Sequence, residues 1–316
     1  MKIIVTGALG HIGSQLVREI PNSISNPEII MIDNLATQRY SSLFNLESKK
    51  ATYKFVELDV AKDDISSYID KADALIHLAA LTEPSKSAEN PSLYEDLNFS
   101  MSSNVAKFCA KASVPMIFPS TCSVYSTKKS QIDETAGGED LNAQSPYSRI
   151  KLKEEDFIKQ LGREQNLKYS ICRLGTISGT SAGMRFHTAV NSFCWNAVVK
   201  KPINVWETAL HQKRPYLSLN DCVRAFTHIV EKKLFENQTY NIVNGNHTVD
   251  DIVQMIQLEI PDLKIEFTKS KIMNELSYEV NGDKFKKTNF EYKYPLNYSI
   301  KDTINIFRGL TGNPLS

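Results

Sequence analysis

Residues 1–33, MKIIVTGALGHIGSQLVREIPNSISNPEIIMID, constrain this chain more than any other stretch. A short apolar run, Lys2 to Val5, enters a glycine cluster at Gly7, Gly10 and Gly13. Apolar residues at helical spacing follow, Ile12, Leu16, Val17 and Ile20. A second apolar run, Ile29 to Ile32, ends on Asp33. The pattern is strand, tight turn, helix, strand, acid. Side chains at the glycines would hold the backbone away from a pyrophosphate or keep the helix off the sheet. The helix start offers free N–H groups and the positive end of a dipole. Asp33 lies 20 residues beyond Gly13, where an acid can accept hydrogen bonds from an adenosine ribose. The spacing is G-x-x-G-x-x-G, and the two flanking strands turn this weak pattern into a dinucleotide-binding signal.

The alternation continues down the chain. Tyr53–Val56, Ala74–Leu78, Pro115–Pro119 and Tyr169–Arg173 read as further strands, with long helices over 91–112 and 146–165. Such alternation predicts an α/β fold, a Rossmann-type doubly wound parallel sheet. The notable short motifs fall at strand carboxyl ends, the ligand edge of such sheets. Beyond Arg173 the rhythm loosens. Residues 175–183, rich in Gly, Ser and Thr, read as loop, and 185–199 and 249–259 as helices. Tyr240–Val243 reads as a strand returning to the sheet. The predicted division is a dinucleotide-binding domain over 1–173, rejoined by 210–245. A smaller α+β substrate-binding lobe comprises 174–209 and 246–316.

Composition narrows the function. A formal net charge of +1 argues against nucleic-acid binding driven by bulk charge. No apolar run approaches a membrane span, and a core strand stands at the N-terminus, so the expected location is the cytoplasm. Five cysteines without a C-x-x-C pair suit reduced thiols, and the six histidines show no metal-ligand spacing. No metal is expected.

Tyr147-Ser148-Arg149-Ile150-Lys151 places a phenol and an ammonium four residues apart, on one helix face. The lysine favours the phenolate, which lets the tyrosine exchange a proton near neutral pH. By chance such a pair is a solvated helix face. Here it opens the helix about 25 residues after a Ser/Thr cluster at a strand end, which favours the catalytic reading.

With these residues in place the chain resembles the extended short-chain dehydrogenase/reductase superfamily. The branch is that of the NAD-dependent nucleotide-sugar epimerases and dehydratases, of UDP-glucose 4-epimerase type. The resemblance runs through Thr6–Gly13, Asp33-Asn34, Asp59-Val60, His77–Ala80, Asn98, Ser120–Tyr125, Tyr147/Lys151 and Arg173–Gly175. It continues in Arg214-Pro215-Tyr216, Asp221 and Tyr240-Asn241-Ile242.

The resemblance implies NAD as cofactor, held by Gly7, Gly10, His11, Ile12 and Gly13. It puts Asp33 and Asn34 on the adenosine ribose and Asp59 and Val60 on adenine. Leu78, Ala79 and Ala80 would line the cofactor channel, with Asn98 behind it. It implies that Thr121 hydrogen-bonds the reacting sugar hydroxyl and that Tyr147 transfers the proton. Lys151 would lower the tyrosine pKa and hold the nicotinamide ribose. Thr82, Ser123, Thr176, Arg185 and Arg214 are the expected contacts to a nucleoside-diphosphate sugar, Arg214 foremost on the diphosphate. Asp33 would repel a 2′-phosphate, and Arg39, six residues on, is the one nearby cation that could offset it.

Three positions depart from the family pattern. Dehydratases carry Thr-Asp-Glu where this chain has Thr121-Cys122-Ser123, which argues against 4,6-dehydration. Thr176 replaces an asparagine, and Ser126 a glycine. Cys122 sits one position short of the acid/base cysteine of reductase-epimerases and reads as a small buried residue. His187 reads as structural and Trp195 and Trp206 as lobe packing, with Trp206 also close to the Arg214 region.

The expected activity is therefore an NAD-dependent nucleotide-sugar epimerase acting through oxidation at sugar C4 to a 4-keto intermediate. The alternatives are a net C4 dehydrogenase or 4-keto reductase, and an inactive NAD-binding protein. A homodimer is expected through the helices over 91–112 and 146–165, whose apolar positions include Val105, Phe108, Ile150, Phe157 and Leu161. Burial of the same stripes against the sheet is the competing reading.

Overall fold

The computed structural model describes residues 1–82, 90–125, 129–141, 143, 145–186, 188–269 and 277–310. Ser126 and His187 lie outside them. A seven-stranded sheet organises the molecule. Its strands are β1 (Lys2–Thr6), β2 (Glu28–Asp33), β3 (Thr52–Glu57), β4 (Ala74–His77), β5 (Met116–Thr121), β7 (Tyr169–Leu174) and β11 (Gln238–Ile242). They lie in the order β3-β2-β1-β4-β5-β7-β11, all parallel. The order reverses between β1 and β4, and a crevice opens there beyond the strand ends.

The central strands β1, β2, β4, β5 and β7 are largely buried because helices cover both faces of the sheet, whereas the edge strand β3 is half-exposed. Helices His11–Ser23 and Leu219–Lys232 pack together on one face around Leu16, Val17, Ile20, Phe226 and Ile229. Helices Pro91–Ala112 and Pro146–Gln165 pack together on the other around Val105, Ile158 and Leu161. Val105, Ile150 and Leu161 are thus buried within the chain itself, while Phe108 and Phe157 are only partly covered.

The remaining strands form small sheets. β8 (Thr176–Ser178), β10 (Arg214–Ser218) and β12 (Gly245–His247) make one, in the order β12-β10-β8. β9 (Ile203–Trp206) pairs with β13 (Ile265–Thr268), and β6 (Gln131–Ile132) with β14 (Glu279–Val280). Helices Ala189–Val198, Val249–Glu259 and Leu296–Phe307 share a core of Val190, Cys194, Ile252, Ile256, Ile300 and Ile304. Of the segment 210–245, the helix Leu219–Lys232 and β11 join the large sheet's layers, whereas β10 pairs with β8 and β12.

Two local readings are corrected. The 175–183 stretch holds a strand, β8, because its backbone pairs with β10, a partner more than thirty residues away. The helix expected from 185 begins at Ala189, after Thr188 as its N-cap. Arg185 is thereby left in the connecting segment, where its side chain reaches Thr82. Among the described residues, no helix is long and apolar enough to cross a membrane.

Candidate active site

One cavity of about 590 Å³ opens at the carboxyl ends of the central strands. The glycine loop forms its floor. Gly7 has φ +65°, and a Cβ there would stand 2.5 Å from the Ala79 backbone nitrogen. At Gly13 a Cβ would stand 2.4 Å from the Gly7 carbonyl oxygen. Only glycine lets β1's exit, the β4 exit and the helix meet this closely. The helix His11–Ser23 starts on Gly10, which has no side chain to take its first N–H groups, and Gly10–Gly13 line the cavity. N–H donors at a positive helix end fit a diphosphate.

Asp33 closes β2 at the cavity wall. Its carboxylate accepts the Leu9 N–H at 3.1 Å and the Leu35 N–H at 3.0 Å. It therefore holds the glycine loop in place while lining the cavity. Asn34, Asp59, Val60, Leu78, Ala79 and Ala80 also line the cavity. Asn98 does not. It is buried behind the wall, accepting the Leu81 N–H at 2.8 Å and donating to the Leu81 and Tyr94 carbonyls. It shapes the loop after β4. These residues suit a dinucleotide along their whole length.

Thr121, Tyr147 and Lys151 line the far half of the same cavity. Thr121 ends β5, and its Oγ1 accepts the Ser123 N–H at 3.1 Å, which fixes the hydroxyl's rotamer. Tyr147 and Lys151 share a face of a helix with a reciprocal cap, Ser145 with Ser148, and Pro146 in its first turn. Burial raises the Tyr147 hydroxyl above its ordinary range, Lys151 and Arg185 oppose that, and Glu154 adds to it. Lys151 thus acts on the phenol in the expected downward direction, and burial outweighs it. Burial also works against the Lys151 ammonium, but Glu154 and Tyr147 outweigh it and the lysine is raised.

Of the expected substrate contacts, Thr82, Ser123, Thr176 and Arg185 line the cavity. Arg214 does not appear in its wall. Its guanidinium lies over the Tyr278 ring, 5.6 Å from the centroid, and donates to the Gln212 side chain at 2.9 Å. Cys122 is buried beneath the Thr121 turn, its Sγ 3.4 Å from the Arg173 carbonyl oxygen, and burial pushes its thiol up. Trp195 packs on Phe186 and Phe307. Trp206 is 47% exposed and away from the cavity wall. Among the described residues no cluster of His, Cys, Asp or Glu is placed to hold a metal.

Several lining residues escaped the sequence reading, among them Thr37, Met101, Ser145 and Thr188. They sit in loops or on helix faces with no motif of their own. The buried acids Glu154 and Glu155 were also missed. Their spacing from Lys151, three and four residues along one helix, was the available signal.

The fold and site define a Rossmann-type enzyme with a Tyr–Lys pair at the cofactor cleft. The pattern of the NAD dependent epimerase/dehydratase family matches residues 3–243, and the chain belongs to that NAD-dependent enzyme family. It is 27% identical over 266 residues to an uncharacterized UDP-glucose epimerase of Bacillus subtilis, covering 81% of each chain. In structure it is similar to a UDP-glucose 4-epimerase of Stenotrophomonas maltophila with bound NAD and formylated UDP-arabinopyranose. That match has a TM-score of 0.87 at 19% identity and covers 97% of this chain and 98% of the other. A dTDP-glucose 4,6-dehydratase of Streptomyces venezuelae matches with a TM-score of 0.85 at 18% identity, covering 98% and 97%.

Proposed function

We propose that this protein is an NAD-dependent nucleotide-sugar 4-epimerase. The observation that carries the reading is the meeting of Thr121, Tyr147 and Lys151 in one cleft with Ser123 where a dehydratase needs an acid. Cys122, the other position of that acid pair, is buried and carries no carboxyl group.

In this reading Thr121 orients the sugar C4 hydroxyl and Tyr147 takes its proton. The Lys151 ammonium stabilises the phenolate that proton transfer requires. NAD, when bound, supplies the hydride acceptor and donor for C4. The nucleotide anchors the substrate by remote binding energy while the keto sugar turns over in the cleft. Arg185 is the cavity's candidate grip on the diphosphate. Asp33 selects NAD over NADP by repelling a 2′-phosphate.

The test is incubation with NAD and a panel of UDP-, GDP-, CDP- and dTDP-sugars, read by absorbance and by chromatography of the sugars. An epimerase converts its sugar at constant absorbance. Appearance of NADH in step with turnover would instead make the protein a net dehydrogenase. The same reading carries a homodimer through helices Pro91–Ala112 and Pro146–Gln165, supported by the partly covered Phe108 and Phe157. It also carries a reducing cytoplasm, supported by five buried free thiols.

A further inference from the structure

Beneath Tyr147 and Lys151 runs a buried chain of polar groups that ends on a carboxylate. The Ala79 N–H donates to Thr6 Oγ1 at 3.4 Å. Thr6 Oγ1 lies 2.8 Å from His77 Nδ1, and His77 Nε2 lies 3.2 Å from Ser102 Oγ. Ser102 donates to Glu154 Oε1 at 2.5 Å, and Lys151 Nζ pairs with Glu154 Oε2 at 3.0 Å. Thr6, His77, Ser102, Lys151 and Glu154 are all buried.

Counting donors orients the chain. Ser102 has one proton and gives it to Glu154, so its oxygen accepts from His77 Nε2–H. His77 Nδ1 is then the acceptor for the Thr6 hydroxyl. Burial and the nearby Lys151 charge lower the His77 imidazole to about 3, so it is neutral and can play both parts. The chain thus delivers one hydroxyl donor to Glu154 Oε1, and the Lys151 ammonium stands beside Oε2 as an ion pair. The Lys151 ammonium also lies over the Phe118 ring at 4.6 Å, so few groups compete with Glu154 for it.

We propose that Glu154 is a positioning residue for the reaction. It holds the Lys151 ammonium through their ion pair, and its own charge opposes loss of the Tyr147 proton. A carboxylate at this depth is costly unless paired. Its presence one helical turn from Lys151 divides that ammonium's field between the phenol and the acid. The other charged or titratable groups facing the pair are Glu155 on the same helix, Arg185 from the segment before Ala189, and His77 at the end of β4. Through Thr6 and Ala79 the chain also ties Glu154 to the loop that lines the cofactor channel.

The inference rests on the reading of Tyr147 as the proton-transferring group, but its test needs no substrate. The protein, with NAD added, is labelled with ¹³C at tyrosine Cζ, and the Tyr147 signal is assigned by its loss in Tyr147→Phe. Titration then gives the midpoint of the phenol in wild type, Glu154→Gln and Glu154→Asp. Glu154→Gln is expected to lower the midpoint by about 1 pH unit, the low end for a nearby charge. Glu154→Asp, which keeps the charge, should stay near wild type. Glu154→Met provides the same loss of charge should glutamine not fold, and the same downward shift is expected. An unmoved or raised midpoint in the charge-free variants overturns the proposal and leaves Glu154 a structural pair for Lys151. A lowered midpoint in a protein that turns over no nucleotide sugar would sustain this inference while the proposed function failed.

Discussion

Arg173 and Glu155 form a buried two-point ion pair, Nε to Oε1 at 3.0 Å and Nη2 to Oε2 at 2.7 Å. The pair joins β7 to the helix that carries Tyr147 and Lys151. Glu155 also accepts the Ser120 hydroxyl at 2.6 Å, and Arg173 donates to the Tyr125 hydroxyl at 3.0 Å, which itself donates to Asn241. Three strand ends and one helix thus converge on a single fork. Burial would raise the Glu155 carboxyl, but Arg173, Lys159 and Ser120 outweigh it and hold it below its ordinary value.

Removing one partner strands the other charge. Glu155→Ala is expected to cost about 3–5 kcal/mol of stability, the range for a broken buried pair. Urea unfolding of the variant against wild type measures it. A loss within the range of an exposed pair would show that the fork does not clamp the helix.

Tyr147→Phe keeps the ring and its packing but removes the proton. A loss of roughly 10² to 10⁴ in kcat is expected for a general acid/base. NAD affinity, measured by calorimetry, should change little. Turnover near wild type would remove Tyr147 from the chemistry.

The two candidate arginines separate by position. Arg185 lines the cavity and Arg214 does not. Arg185→Ala should therefore weaken binding of the preferred nucleotide sugar by about 1.5–3 kcal/mol, as for a hydrogen bond to a charged group. Arg214→Ala should weaken it less. The reverse order in calorimetric titrations would place the diphosphate nearer β10.

His77 makes stability pH-dependent in a known sense. Its folded value, about 3, lies below its ordinary 6.5, so the unfolded chain binds the proton more tightly. Its contribution is complete above 6.5 and is lost as pH falls from there toward 3. Within that window it removes up to about 1.4 kcal/mol per pH unit. Denaturant midpoints across the window should fall more steeply for wild type than for His77→Gln. Parallel slopes would mean His77 is protonated in the fold.

The alternation of short apolar runs with helical stretches made the large sheet legible, because its central strands are buried on both faces and read as apolar runs. The helices Pro91–Ala112 and Pro146–Gln165 were equally plain, since Pro at the start and an apolar stripe mark them locally. The glycine loop, Asp33, Thr121, Tyr147 and Lys151 could be placed because each occupies a strand end or a helix start, positions that local pattern defines.

What the chain alone left undecided depends on distant partners. β8 exists because β10 lies beside it, and nothing in Thr176–Ser178 announces that. The family resemblance put Arg214 ahead of Arg185, and only the packing of their segments puts Arg185 in the cleft and Arg214 on Tyr278. Glu154 and Glu155 read as ordinary acids on a helix. Their burial, and hence their hold on Lys151 and Arg173, follows from the sheet and the Pro91–Ala112 helix closing over them. Local pattern determines which backbone a segment adopts. Which charges lose their water is decided by the elements that pack on them, and that decision belongs to the tertiary structure.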